Sequence, residues 1–207
     1  MTAQSAPALQ SSPSSPSLPS CTVAQPSKQA WGGGGGAKTI RLEVKTAEDW
    51  CRTAVEKLRG GDSKGALLDC DMAIRGHPKD VAAWCCRATV LQEAGNRAGA
   101  LKELTQALRI DPRRATTWLQ QAKLKMSMRS YDETIIDTGK AIRLEPHTAE
   151  AWGLRGEAKH ALGDYNGAIR DCAEAVRLDP GLVQAWCVGS KAKFQKGMYV
   201  DTIADCQ

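Results

Sequence analysis

The chain has 207 residues, 25% of them charged and 42% hydrophobic, and its formal net charge is only +5. Both signs are mixed along the chain, and one Phe with three Tyr leaves little for base stacking, which excludes a nucleic-acid binder built on a basic, aromatic-rich surface. No apolar run approaches the ~20 residues that a bilayer span needs, so no membrane segment is expected and the cytoplasm is the expected compartment.

In chain order, residues 1–36 come first and differ from the rest. They are rich in Ser and Pro, end in the run Gly32–Gly36, and no acidic residue precedes Glu43. Such a segment cannot bury enough apolar surface to fold, and a disordered tail is expected. Its acid-free, Ser-rich character also fits a plastid or mitochondrial transit peptide, although those are Arg-rich and the first cation here is Lys28. The glycine run reads as a linker rather than a phosphate loop, because no strand precedes it and no Lys-Ser/Thr closes it. Residues 37–46 (AKTIRLEVKT) alternate in a strand-like way and are taken as a linker without an assigned function.

From residue 47 onward the chain repeats itself. Trp50, Trp84, Trp118, Trp152 and Trp186 recur every 34 residues, and Ala73, Ala107, Ala141 and Ala175 keep the same register, as do Pro78, Pro112, Pro146 and Pro180. A fixed period of this size marks a stacked-repeat architecture, in which each unit buries its apolar face on its neighbours. The units are 47–80, 81–114, 115–148 and 149–182, followed by a partial fifth at 183–207. That last unit stops at position 25, inside its second helix and with no capping helix behind it, as expected of a partial sequence. Within each unit the periodicity predicts a first helix over about positions 2–14 and a second over about 18–30. Gly61, Gly95 and Gly163 mark the turn between them, where a left-handed C-cap favours a residue without Cβ. Proline at position 32 ends the second helix, and small residues at positions 20 and 27 let the helices approach closely.

Trp at position 4, Gly or Ala at 8 (Ala54, Ala88, Ala122, Gly156), Gly at 15, Tyr at 17, Ala at 20 and 27 and Pro at 32 resemble the tetratricopeptide repeat (TPR). The resemblance covers residues 47–207. It implies an all-α, right-handed α-solenoid of five helix-turn-helix repeats, the last incomplete, whose first helices line a concave groove. Positions 5, 6 and 9 of that groove are Cys51, Arg52 and Val55 in the first repeat, then Cys85, Cys86 and Thr89, then Leu119, Gln120 and Lys123. The later repeats add Leu154 and Glu157, then Val188 and Lys191. The resemblance implies a monomeric, non-catalytic adaptor holding a peptide segment of a partner protein. Its alternative is the TPR portion of a heat-shock co-chaperone or of a larger multidomain protein. Co-chaperones of this family clamp a chaperone's acidic tail with Lys, Asn and Arg at positions 2, 5, 6 and 9 of three repeats. No three consecutive repeats here carry that set, since position 5 holds Cys51, Cys85, Leu119, Gly153 and Cys187.

One departure from the family needs a physical account. Position 7, often Leu, is Thr53, Arg87, Gln121, Arg155 and Gly189. Position 23 of the second helix is acidic in every repeat (Asp69, Glu103, Asp137, Asp171, Asp205), and the first helix offers a cation at 7 or 11 each time. We expect half-exposed ion pairs bridging each hairpin at its rim, with the long cationic stems covering apolar surface. The basic column Arg75, Arg109, Arg143 and Arg177 lies in the last turn of the second helices, where the helix dipole favours cations, and is read as structural rather than as a polyanion site.

The eight cysteines call for no metal: there is no C-x-x-C pair and no converging His. Cys70, Cys172 and Cys206 fall in a packing column at position 24, where a thiol acts as a small hydrophobe. Reduced thiols are expected, with a Cys51 to Cys85 contact as the alternative that would close the groove on oxidation. No nucleophile with its base, phosphate loop or carboxylate pair suggests an enzyme, and no cofactor is expected.

Overall fold

The computed structural model describes residues 46–198. The expectations for the tail, for nearly all of the 37–46 linker, and for positions 17–25 of the fifth repeat, including Tyr199, Asp205 and Cys206, lie outside the described residues. Within them the fold is all α-helix. The first helices are α1 (Ala47–Arg59), α3 (Val81–Glu93), α5 (Ala115–Ser127), α7 (Ala149–Ala161) and α9 (Val183–Gln195). The second helices are α2 (Ser63–Gly76), α4 (Arg97–Ile110), α6 (Tyr131–Leu144) and α8 (Tyr165–Leu178). Each first helix starts one residue earlier than the sequence predicts and ends at position 13. No described helix is long and apolar enough to cross a membrane.

The turn between paired helices follows from one backbone demand. Position 15 is left-handed in all five repeats: φ is +84° at Gly61, +80° at Gly95, +83° at Gly163 and +78° at Gly197. The third repeat meets that demand with Arg129, at φ +61°, a conformation costly for a residue with a Cβ. Position 16 then caps the second helix. The side chains of Asp62, Asn96 and Asp164 accept hydrogen bonds from the backbone N–H of Gly65, Gly99 and Gly167. These glycines leave room for the cap, because a Cβ on Gly65 or Gly167 would lie 2.0 Å from the capping carboxylate. In the third repeat the matching residue is Glu133, and Ser130 makes no side-chain cap. Two sequence columns three residues apart are thus one packing unit.

The core is a seam rather than a centre. Each buried cluster joins a first helix, its second helix and the next first helix, as in Leu119, Ala141, Ile142 and Ala151 with Trp118, Trp152 and Leu154 against them. The alanines at positions 8 and 27 are at most 2% exposed, so the helices pack nearly backbone to backbone. Tryptophan and proline, the two columns that first reveal the period, are bonded to each other. The indole N–H of Trp84, Trp118, Trp152 and Trp186 donates to the carbonyl of Pro78, Pro112, Pro146 and Pro180 at 2.8–3.0 Å. Each bond ties a first helix to the loop entering it, and so sets how successive repeats stack.

The position 7 and 11 cations meet the position 23 acids in all four repeats where both are described. Lys57 reaches Asp69, Arg87 reaches Glu103 and Lys125 reaches Asp137, while Arg155 and Lys159 share Asp171, all at 2.6–2.7 Å. The expectation of half-exposed pairs at the rim is corrected in one respect. The carboxylates of Asp69, Asp137 and Asp171 are only 7%, 3% and 5% exposed, because small residues at positions 8 and 20 (Ala54, Ala66; Ala122, Thr134; Gly156, Ala168) let the helices close over them. Arginine at position 7 also lies over the indole three residues before it, Arg87 on Trp84 and Arg155 on Trp152, at 5.0 and 4.6 Å from the ring centroids. Arg87 further pairs with Asp71 of the preceding repeat. A leucine at position 7 could make none of these contacts. In the third repeat Gln121 bonds Thr105 instead, and Lys140 takes the place over Trp118.

Candidate functional site

First helices touch directly, α1 with α3, α5 with α7 and α7 with α9, whereas each second helix reaches the next repeat through that repeat's first helix. The first-helix side is therefore the shorter, inner side of the curve. Two hollows open on it. One, of about 620 Å³, spans repeats one to three and brings together Cys51, Arg52, Val55, Cys85, Cys86, Thr89 and Gln120. The other, of about 350 Å³, lies over repeats three to five and holds Lys123, Leu154 and Glu157 with Glu150, Gly153, Leu182 and Gln184.

Two of the expected groove residues lie deep. Leu119 and Val188 are 7% and 5% exposed and pack into the core seams, so they offer a ligand little surface. Lys191 is exposed but lines neither hollow. Arg59, at position 13 of the first repeat, stands on the wall of the larger hollow, and the sequence reading missed Glu56 and Arg114 beside it. Arg114 carried a usable signal. It stands at the N-cap of α5 where Asp80 caps α3, a position at which a cation has no acceptor to offer, and its guanidinium bonds Thr116 Oγ1 at 3.3 Å beside the hollow.

The groove is floored by small side chains and rimmed by charge. Position 5 and 6 cysteines leave open space where larger residues would fill it, with Arg52, Arg59 and Arg114 against the single acid Glu56 on the wall. Arg52 is paired with Asp49 at 2.6 Å on an exposed turn. Across the second hollow Lys123 bridges to Glu150 at 2.6 Å, which leaves Glu157 as the remaining charge of that wall.

The thiols are arranged differently from the Cys51 to Cys85 alternative. Cys70 and Cys86 lie with their sulfurs 3.6 Å apart, and Cys85 meets Thr117 instead. Hydrogen bonding to Cys86 and burial push the Cys51 thiol up, and burial does the same for Cys85. At Cys86 the contact with Cys51 pulls down, but the contact with Cys70 and burial prevail and raise it to about 12. These groups are neutral thiols at physiological pH and therefore weak nucleophiles. Among the described residues no group of three or more His, Cys, Asp or Glu is placed to hold a metal ion.

A third hollow, of about 290 Å³ between α8 and α9, lies on the opposite side, beside Gly189 and Lys193 at positions 7 and 11. In earlier repeats those positions face the second helix of their own repeat, and in the fifth repeat that stretch lies outside the described residues. It is accordingly not counted as a ligand site.

Antiparallel helix pairs stacked along one axis, each completing its core on the next and presenting an open groove, define an α-solenoid. Residues 149–182 match the model of the tetratricopeptide repeat, and the other described helix pairs repeat the same fold. Solved structures agree. MamA from Desulfovibrio magneticus RS-1 is similar at a TM-score of 0.69 and 17% identity, over 77% of this chain and 90% of that one. The pilF protein of Pseudomonas aeruginosa gives 0.70 and 17%, over 77% and 72%. A thermophilic TPR protein from Thermus thermophilus gives 0.61 and 16%, over 77% and 88%. At such identities the likeness concerns the fold alone. A search of curated proteins finds no match.

Proposed function

We propose that this protein is a non-catalytic adaptor that holds a peptide segment of a partner protein in the groove of its first helices, one segment per chain. TPR domains are a protein-interaction family. The observation that carries the reading here is the 620 Å³ hollow of repeats one to three, apolar at its floor and polar at its rim, as peptide sites are. The chaperone-tail alternative has less support. Its basic and amide positions are occupied by Cys51, Val55, Cys85 and Thr89, which cannot replace the hydration of a terminal carboxylate.

The test is a peptide array of capped 12-mers followed by fluorescence-polarisation titration of the hits against the whole chain, with stoichiometry from calorimetry. Thr89→Trp, an exposed change on the groove wall, should weaken genuine groove ligands at least about tenfold while the melting temperature stays within a few degrees. Hits that bind Thr89→Trp as well as the wild type would place recognition outside the groove.

A further inference from the structure

The charges along the groove are sorted by sign. At the repeat one to three end Arg52, Arg59 and Arg114 outnumber Glu56, and at the repeat four to five end Glu150 and Glu157 outnumber Lys123. Two of these charges are already matched, Arg52 by Asp49 and Lys123 by Glu150, which leaves Arg59 and Arg114 against Glu56 at one end and Glu157 at the other. Arg59, Arg114 and Glu150 are exposed, in contrast to the buried acids at position 23. Charges that lie open on the walls of two hollows of one groove act on whatever lies across both.

We propose that the groove reads the charge order of its ligand. It takes an extended peptide with an acidic residue against Arg59 and Arg114, small aliphatic residues over the cysteine floor, and a basic residue against Glu157 and Glu150. This rests on the adaptor reading and gives it a partner chemistry. The spacing follows from the scaffold. Neighbouring helices pack 8–10 Å apart, so hollows two first helices apart lie roughly 20 Å from each other. An extended chain covers that in roughly six residues at ~3.3 Å each. The aliphatic preference follows from the floor, where Cys51, Cys85, Cys86 and Val90 present small apolar side chains. Because the charges are exposed, their attraction is screened by salt and expresses itself as selectivity more than as affinity.

The experiment uses the full chain and four synthetic peptides, acetylated and amidated so that no terminal charge takes part. One carries two Asp, a Val-Ala-Val-Ala centre and two Lys, which sets the charge centres about six residues apart; the others are its charge-scrambled form, an all-Asp form and an uncharged form. The ordered peptide should bind at least about tenfold more tightly than the scrambled one at low salt, and the difference should shrink severalfold in half-molar salt. Arg59→Glu with Arg114→Glu should cost the ordered peptide about threefold per reversed charge, and Glu150→Lys with Glu157→Lys should shift preference to the all-Asp form. Circular dichroism serves as the folding control for each pair. Equal, salt-insensitive binding of all four peptides that is lost in Thr89→Trp would overturn the charge-order proposal and leave the adaptor reading intact. If neither these peptides nor any array hit responds to Thr89→Trp, both fail together.

Discussion

Asp171 gives the strictest test of how the repeats are held. Its carboxylate is 5% exposed and bonded three times, by Arg155 Nε at 2.8 Å, Arg155 Nη2 at 2.7 Å and Lys159 Nζ at 2.7 Å. Each attraction is worth about 4 kcal/mol at an effective dielectric of 20 and ~4 Å charge separation. Desolvating the carboxylate and the cations costs several kcal/mol per ion, so the intact group is near neutral for stability. Removing the cations is a different matter. Arg155→Met alone leaves Lys159 in place and should cost about 1–2 kcal/mol, including the lost stacking on Trp152. Arg155→Met with Lys159→Met strands a buried charge and should cost about 3–5 kcal/mol. Adding Asp171→Leu should return most of that loss, since an apolar trio of similar volume needs no compensation. Urea unfolding followed by circular dichroism reads the series, with an unchanged slope as the control for two-state behaviour. A double variant within about 1 kcal/mol of the wild type, or a triple variant no better than the double, would show that Asp171 is in effect solvated and that the hairpins are held by alanine packing alone.

Arg129→Gly should raise stability by about 1 kcal/mol, seen as a higher urea midpoint, because it removes a Cβ from a left-handed position that four other repeats fill with glycine. Asp164→Ala should cost about 1 kcal/mol in the wild type and almost nothing on a Gly167→Ala background, where the new Cβ has already displaced the cap; additive effects in that cycle would refute the steric account. Trp152→Phe keeps the ring but loses the bond to Pro146 and should cost about 1 kcal/mol by the same unfolding assay. Alkylation with a maleimide, mapped by mass spectrometry, should label exposed Cys187 before Cys70, Cys86 and Cys172, since the first of these is wholly buried and the other two are held up to about 12. Stability carried by Cys86 and Cys172 as neutral thiols is present below the unfolded thiol range near 9 and should fall away as pH rises from there toward 12.

Much of this molecule is written locally. The 34-residue period, the helix pairs, the turn at position 15 and the stop at proline 32 all follow from short-range demands on φ, on caps and on apolar spacing, and those demands recur in each copy. The ion-pair column was legible for the same reason, because two complementary charges recurred at fixed register. What could not be read from single columns is how deep each side chain lies once repeats stack. Leu119 and Asp171 illustrate it from opposite sides: a residue expected on the groove is only 7% exposed, and a charge expected at the rim is buried. Depth depends on the curvature and on the separation of whole helices, which small residues at positions 8, 20 and 27 and the Trp to Pro bonds set jointly across three elements. The groove wall was hidden for that reason as well. Arg59 and Arg114 sit at a helix end and a loop cap, far apart in sequence, and only stacking brings them to one hollow. The sequence by itself therefore determined the repeating helix pair and its period. The tertiary structure decided which faces remain open and which charges look into them, because those depend on the summed rotation between units and not on any unit alone.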